Sequence, residues 1–382
     1  MKVLLITPSY FPIVGGSETL TQNLAIKLNE TGIQTDILTL NMDAKWKPKW
    51  KEKIEEGASF QIFKEPALNL LPNLPNPLYS MLRMNVFPFP SFFERTKDYD
   101  IFHFIGEADL SIPLVSYFIP KPKIMHCVGI FRKGGLYYYY TFKRSYLKRT
   151  FKKYFPTLAN FYLVSSFEEQ DILAELGVPN NKVLTLPDGV DVHVFKPDPA
   201  RKVDNMILFV GRIDRIKGLH LLIKALSHVK IPVKLVAIGP KWDSDYFAEI
   251  EQMCQRINGE GFHKIEVISG MNQNDLVPWY QQASLLVCPY LYETHSNVVR
   301  EALACGTPVV STGSHFLKSG SDGILTVPKD PIKIAEAIQK LLEENELREE
   351  YGRVGRRLME QHFSWESVIQ KLNEIYRGMV SY

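Results

Sequence analysis

The chain has 382 residues, 45% of them hydrophobic and 23% charged, which is a soluble, globular composition too long for one ordinary core. The 45 basic and 42 acidic residues leave a net charge of +3, too small to point to nucleic acid, so any basic character has to be local. No run of about 18 apolar residues occurs, so a transmembrane helix is not expected.

The first apolar run, in "MKVLLITPSYFP", is too short for a signal peptide, and Pro8 and Pro12 follow it closely. Val3–Pro8 (VLLITP) instead reads as a parallel strand buried on both faces. Gly15 and Gly16 then mark a loop. "SETLTQNLAIKLNETG" predicts a helix: Ser17 can cap it, Leu20, Leu24 and Leu28 recur at helical spacing, and Gly32 can close it. "TDILTL" is the next strand, which completes a β-α-β unit of a doubly wound parallel sheet.

Residues 41–98 contain the polar "DAKWKPKWKEK" and a proline-rich run, and predict loops and short helices. Strands return at "DIFHFIG", "KIMHCVG" and "FYLVSS". Pro187, Pro197 and Pro199 punctuate a linker. The pattern then restarts with "MILFVG", a helical "GLHLLIKALSHV" and "VKLVAIG". "IEVISG", "LLVCPY" and "TPVVST" are further strand candidates, and the chain from about Pro331 is helical. Two α/β domains in series are expected, with ligands beyond the C-terminal strand ends. Cys127, Cys254, Cys288 and Cys305 form no CxxC pair, which fits a reduced, cytosolic chain with small core cysteines.

Two loops carry the chemistry. In "FVGRIDRIKG" a strand ends at Gly211, and Arg212, Arg215 and Lys217 fall before the next helix, where anions bind. Ordinary loop solubility explains the same charges. In "YETHSNVVREALACGTPVV", Glu293 and Glu301 stand eight positions apart. A helix starting near Ser296 or Asn297 leaves Glu293 in the loop and Glu301 in mid-helix. In one continuous helix they would differ by roughly 80° around the axis. A hydrolytic carboxylate pair is therefore not indicated. A zinc site would need a second histidine near His295, and none is there. His295 reads as a hydrogen-bonded loop residue, and Arg300 as a solvated or salt-bridged one.

These residues support a resemblance. Glu293, seven residues, then Glu301 and "ALACGTPVV" resemble the Glu-x7-Glu signature of retaining GT-B glycosyltransferases, most of all glycosyltransferase family four. "GGSE", "PDGVDVHVF", "VGRIDRIKG" and "FSWESVIQKLNEIY" are similar to other family segments, in the same order. The resemblance implies an α/β GT-B fold of two Rossmann-like domains facing a cleft. Residues 1–190 would form the acceptor side and 191–365 would bind the nucleotide-sugar. The helix 366–382 would pack back on the N-terminal domain.

It also implies roles. Arg212 and Lys217 would bind the donor diphosphate and stabilise the departing charge. Glu301 would hold the ribose hydroxyls and Glu293 those of the transferred sugar. Backbone N–H groups around Ser296, Asn297 and Val298 would meet phosphate. Gly15 and Gly16 would allow close approach of the donor. Gly270 and Met271 would contact the base. His126 matches a histidine near the reacting sugar, with a strand-end histidine satisfied by backbone as the plainer reading; His103 reads as structural. Two departures stand out: "THSN" follows Glu293 where a Gly-Phe-Gly-like run is usual, and Asp188 replaces an asparagine.

Asp98-Tyr99-Asp100 and Asp243-Ser244-Asp245 spell a DxD pattern, which is weak evidence for metal, and neither a metal nor a cofactor is expected. "FRKGGLYYYYTFKRSYLKRTFKKYF", residues 131–155, is basic and aromatic with no acid. It could lie on an anionic membrane, bind an anionic acceptor, or be a solvated helix with its tyrosines partly in the core. The expected protein is a cytoplasmic retaining glycosyltransferase, peripheral at the inner membrane face, acting on a lipid-linked or glycan acceptor. A nucleotide-sugar epimerase or hydrolase on the same fold is the alternative. A nicotinamide-dependent dehydrogenase is disfavoured because the first loop lacks GxGxxG, and a non-catalytic sugar-nucleotide-binding protein is more remote.

Overall fold

Continuous apolar runs become buried parallel strands in this computed structural model, which describes residues 1–12, 16–41, 53–56, 59–66, 68–69, 85–86, 94, 96–106, 116–119, 122–127, 153–291, 296–313, 317 and 319–380. The chain divides into two compact units, Met1–Pro187 with Ile369–Tyr382, and Asp188–Val368.

The first unit is built on β1 (Lys2–Thr7), α1 (Gly16–Glu30), β2 (Gln34–Leu40), β3 (Lys53–Glu56), β4 (Gln61–Glu65), a small antiparallel pair β5 (Leu68–Asn69) and β6 (Asn85–Val86), then β7 (Ile101–Ile105), β8 (Lys123–His126), β9 (Phe161–Val164), α2 (Phe167–Glu175) and β10 (Val183–Thr185). The main sheet has the order β10-β9-β8-β7-β1-β2-β4-β3, parallel throughout except for β3 at one edge. Val3 to Ile6 are completely buried, and α1 covers the sheet with Leu20, Leu24 and Leu28.

Two expectations need correction. Helix α1 begins at Gly16, so Ser17 lies in the first turn. Its hydroxyl donates to Glu18 Oε2 at 3.1 Å and does not cap the helix. Residues 41–98 are also not merely loops and short helices, because β3 and β4 extend the main sheet there. The strand "QIFKE" escaped notice because it carries a lysine and a glutamate. Lys64 is nonetheless buried, with Nζ 2.7 Å from Glu55 Oε2 and donating to the Phe11 carbonyl at 2.7 Å. Pairing of this kind is what allows a charge inside.

The second unit comprises β11 (Met206–Val210), α3 (Leu219–Leu226), β12 (Lys234–Ile238), α4 (Ser244–Glu260), β13 (Lys264–Ile268), α5 (Val277–Gln282), β14 (Leu285–Cys288), α6 (Asn297–Ala304), β15 (Val309–Ser311), β16 (Ile324–Thr326), α7 (Pro331–Glu343) and α8 (Asn345–Leu358). Its parallel sheet has the order β13-β12-β11-β14-β15-β16. Alternate residues of β11 serve opposite faces. Ile207 and Phe209 pack with α3, α4 and α7 through Leu222, Ile250 and Ile338. Leu208 and Val210 pack with α5 and α6 through Tyr280, Val299 and Leu303. Covering a parallel sheet on both faces explains its unbroken apolar strands.

The chain starts each sheet in the middle, runs to one edge, then returns to fill the other side. The reversal falls between β1 and β7 in the first unit and between β11 and β14 in the second. Ligands of open α/β sheets bind at such a switch point, beyond the strand ends. The last helix, α9 (Trp365–Val380), begins in the second unit and from Ile369 belongs to the first. Cys127, Cys254, Cys288 and Cys305 are free and buried. Among the described residues no helix is long and apolar enough to cross a membrane.

Candidate active site

The switch point of the second unit gathers the two charged loops. Strand β11 runs into Gly211 and Arg212. Asp214 then caps a single 3-10 turn, Arg215–Lys217: its Oδ1 accepts from the Lys217 backbone N–H at 2.9 Å, and its Oδ2 lies 3.2 Å from Arg212 Nη2. Gly218 follows with φ of +72°, and a Cβ there would come within 1.9 Å of the Pro289 carbonyl oxygen. Only glycine permits both the conformation and the approach. The Leu291 N–H donates to the Ile216 carbonyl at 2.8 Å, which clamps this turn to the loop after β14.

Tyr290 connects the loops through its side chain. Lys217 Nζ stands 4.7 Å from its ring centroid, a cation–π distance. Its hydroxyl lies 2.9 Å from Ser296 Oγ. Ser296 is the N-cap of α6 and accepts from the Val299 N–H at 3.4 Å. Lys217 and the start of α6 are therefore linked through one aromatic side chain. Asn297 and Val298 are half-buried in the first turn of that helix.

Glu301 lies deeper on α6 and is buried. Its Oε1 accepts from Gln273 Nε2 at 2.5 Å and its Oε2 from the Tyr280 hydroxyl at 2.7 Å. Burial pushes its pKa up, while those two bonds and the Arg300 charge oppose the rise. A carboxylate has about four acceptor positions, so two bonds leave capacity for hydroxyl donors. Gly270 and Met271 follow β13, and a Cβ at Gly270 would lie 3.1 Å from Pro240 Cδ. Gln273 fixes this loop to α6. Arg300 is not solvated. It is buried, with Nη2 donating to Asp188 Oδ2 at 2.9 Å and to Asn297 Oδ1 at 2.5 Å. Asp188 thus contacts Arg300.

In the first unit, Gly16 opens α1, and a Cβ there would meet no atom of the described residues within 4 Å. Packing among the described residues does not explain this glycine. Glu18, two residues on, is buried and accepts from the hydroxyls of Ser9 and Ser17. His126 ends β8, buried, with its ring stacked on that of His103 at 5.4 Å between centroids. Register pairs His103 with Ile124 and Ile105 with His126, so the two histidines are diagonal neighbours on one face. His103 Nδ1 lies 2.5 Å from the Tyr376 hydroxyl of α9. Burial, then the neighbouring His126, pushes the His103 pKa well down. His103 is thus enclosed between the His126 ring and the Tyr376 hydroxyl.

Gly15, Glu293, Thr294 and His295 lie outside the described residues, as does most of the basic segment, residues 131–152. The DxD patterns have local roles. Asp243 caps α4 by accepting from the backbone N–H groups of Asp245 and Tyr246, and Asp100 accepts from the Lys2 N–H at 2.8 Å. Among the described residues no group of three or more His, Cys, Asp and Glu side chains could hold a metal.

Sequence reasoning missed Tyr290, Asp214, Gln273 and Tyr280. Tyr290 had a signal, since it directly follows the strand that feeds the Glu293 loop. Asp214 had one too, standing three residues before Lys217 in "DRIKG". Gln273 and Tyr280 had none, because only folding brings them to Glu301.

Comparison with known proteins agrees with this layout. The model of Glycosyltransferase Family 4 matches residues 14–194, and that of Glycosyl transferases group 1 matches residues 194–358. An uncharacterised glycosyltransferase of Methanocaldococcus jannaschii is 25% identical over 99% of this chain and 98% of its own. A D-inositol 3-phosphate glycosyltransferase of Paenarthrobacter aurescens is 28% identical; the match covers 56% of this chain and spans only 56% of that relative's length. The structure of HepE from Anabaena in complex with UDP superposes with a TM-score of 0.74, at 18% identity, over 99% of this chain and 100% of that one. With adjoining models matching residues 14 to 358 and the two-unit GT-B fold, the chain belongs to glycosyltransferase family four.

Proposed function

We propose that the protein is a retaining glycosyltransferase that moves a hexosyl group from a nucleotide-sugar to an acceptor hydroxyl. The observation that carries this reading is the clamped Gly211–Gly218 loop at the sheet's switch point, which bears Arg212 and links Lys217 through Tyr290 to the start of α6. Two cations on one loop, tied to a helix N-terminus, suit a diphosphate. The UDP complex of the HepE neighbour supports a nucleotide donor.

In the reaction the bond between C1 of the sugar and the diphosphate oxygen breaks, and the diphosphate leaves with the electron pair. Arg212 and Lys217 stabilise that charge as it develops. The acceptor oxygen bonds to C1 on the face the diphosphate leaves, and its proton passes to the departing phosphate. Retention proceeds through a short-lived ion pair, since the sequence offers no clear nucleophile. Glu301 holds the ribose and Glu293 the transferred sugar. Gly270 and Met271 meet the base, and the Ser296–Val298 turn meets phosphate. His126 stands near the reacting sugar, and Gly15 and Gly16 let the backbone of the N-terminal domain approach the donor closely.

No metal is required, because fixed cations do its electrostatic work; loss of activity in chelator that manganese restores would refute this. The acceptor is a lipid-linked or polysaccharide precursor, reached at the inner face of the cytoplasmic membrane through residues 131–155. That segment's basic, aromatic composition supports the contact, as does the exposure of Tyr154 within it. Cosedimentation with anionic liposomes at low salt is expected, and its absence there would end that part of the proposal.

The test of the reaction is incubation with a panel of nucleotide-sugars, with and without hydroxyl acceptors, followed by NMR of the products. A glycoside with the donor's anomeric configuration is expected. An epimerised donor or free sugar as the main product, whether or not acceptor is present, would favour the epimerase or hydrolase instead.

A further inference from the structure

Trp242 is 65% exposed, more than any other large apolar side chain among the described residues. It belongs to the loop between β12 and α4, yet it does not simply project into water. The Arg212 guanidinium carbon lies 4.7 Å from its ring centroid. The same guanidinium has Nη2 3.2 Å from Asp214 Oδ2. Arg212 is thus held by two partners, the Asp214 carboxylate and the face of the Trp242 indole.

Backbone pairing makes this arrangement rigid. The Gly211 N–H donates to the Ile238 carbonyl at 3.0 Å, and the Ile213 N–H to the Pro240 carbonyl at 3.0 Å. Ile213 and Lys241 form a parallel bridge. A Cβ at Gly239 would lie 1.7 Å from the Gly211 carbonyl oxygen, so the two loops touch backbone to backbone. In the strand order β13-β12-β11-β14, the Trp242 loop falls between the Gly270–Met271 loop and the Arg212–Lys217 loop. A nucleotide laid from one to the other passes it.

A guanidinium has five N–H donors, all in its plane. Contact with an aromatic face restricts the group's rotation and displaces water from one side. The donors that Asp214 leaves can then grip an anion through two bonds. We propose that Trp242 is a positioning residue of the nucleotide site: its indole fixes the plane of Arg212 so that the guanidinium addresses the donor diphosphate. This inference rests on the reading of that loop as the diphosphate site.

Calorimetric titration with UDP, GDP and ADP tests it, using the wild type, Trp242→Ala, Trp242→Phe, Arg212→Ala and the Arg212→Ala/Trp242→Ala double variant. Trp242→Ala should weaken binding of the preferred diphosphate about tenfold, and Trp242→Phe should recover most of that. In the Arg212→Ala background, removing Trp242 should cost little more, since a residue acting through another shows strong non-additivity. Equal affinity of the wild type and Trp242→Ala would overturn the inference, as would a full, additive loss in the double variant. If the wild type binds none of the three diphosphates, the underlying site reading fails, and the inference with it.

Discussion

Asp188 and Arg300 form a buried ion pair across 112 positions of sequence, with Arg300 Nη2 donating to Asp188 Oδ2 at 2.9 Å. The pair joins the first residue of the second unit to α6, whose first turn opens the candidate phosphate site. Arg300 also binds Asn297 Oδ1, so the same guanidinium braces that turn. Removing one partner of a buried pair costs about 3–5 kcal/mol, because the other charge stays desolvated. Arg300→Ala should therefore lower the denaturant midpoint markedly. Asp188→Asn, which keeps an acceptor, should cost less. A midpoint for Arg300→Ala within error of the wild type would show that the pair does not support the fold.

His103 lies beneath His126, sealed by Tyr376, and its pKa is depressed by burial. Between that depressed value and the ordinary value near 6.5, the unfolded chain binds a proton that the native state does not. This contribution to stability is present above about pH 6.5 and declines as the pH falls below it. His103→Asn should flatten that decline in urea titrations from pH 7.5 to pH 5, whatever its effect on absolute stability. An unchanged slope would mean that His103 does not titrate as a buried neutral group.

Glu301 is pushed the other way, with its carboxyl pKa raised by burial. The proton is favoured in the folded state, so ionising Glu301 costs stability as the pH rises through its raised value. The ribose contact proposed for Glu301 needs the ionised acceptor. Nucleotide affinity should therefore fall as the pH drops through that value, and Glu301→Gln should lose affinity and this pH dependence together. Calorimetry across pH reads both. A Glu301→Gln variant with wild-type affinity would remove the carboxylate from the nucleotide site.

In the proposed mechanism Lys217 and Glu293 act on turnover more than on folding. Lys217 makes a cation–π contact with Tyr290 on a loop whose shape Asp214 and Gly218 determine. Lys217→Ala should lower kcat by about 10²–10³-fold, the scale of a lost electrostatic stabiliser, with an unchanged circular dichroism spectrum. Glu293→Ala should also reduce kcat heavily. Near wild-type turnover in both variants would remove them from the mechanism.

The sheets were legible because residues such as Leu4, Leu5, Leu208 and Leu286 are buried on covered strands, leaving unbroken apolar runs. Strand β4 was not, since Lys64 and Glu65 break the run, and the burial of Lys64 is explained by its contacts with Glu55 and Phe11. At the site, Arg212, Lys217, Ser296 and Glu301 were readable because loop motifs and a helix cap are local in sequence. Gln273, Tyr280 and Trp242 were not, because each has a partner remote in sequence that it meets only in the folded chain. The meaning of Asp188 was likewise hidden until Arg300 was found opposite it.

The central claim is that the Arg212–Lys217 loop receives the diphosphate of a nucleotide. The most direct measurement is the melting temperature of the wild type and Lys217→Ala with increasing UDP, GDP or ADP. Ligand that binds only the native state raises it by linkage. The account predicts a saturable rise for one of the three in the wild type, and a rise shifted to much higher concentration in Lys217→Ala. An equal rise at equal concentration in both proteins would contradict it.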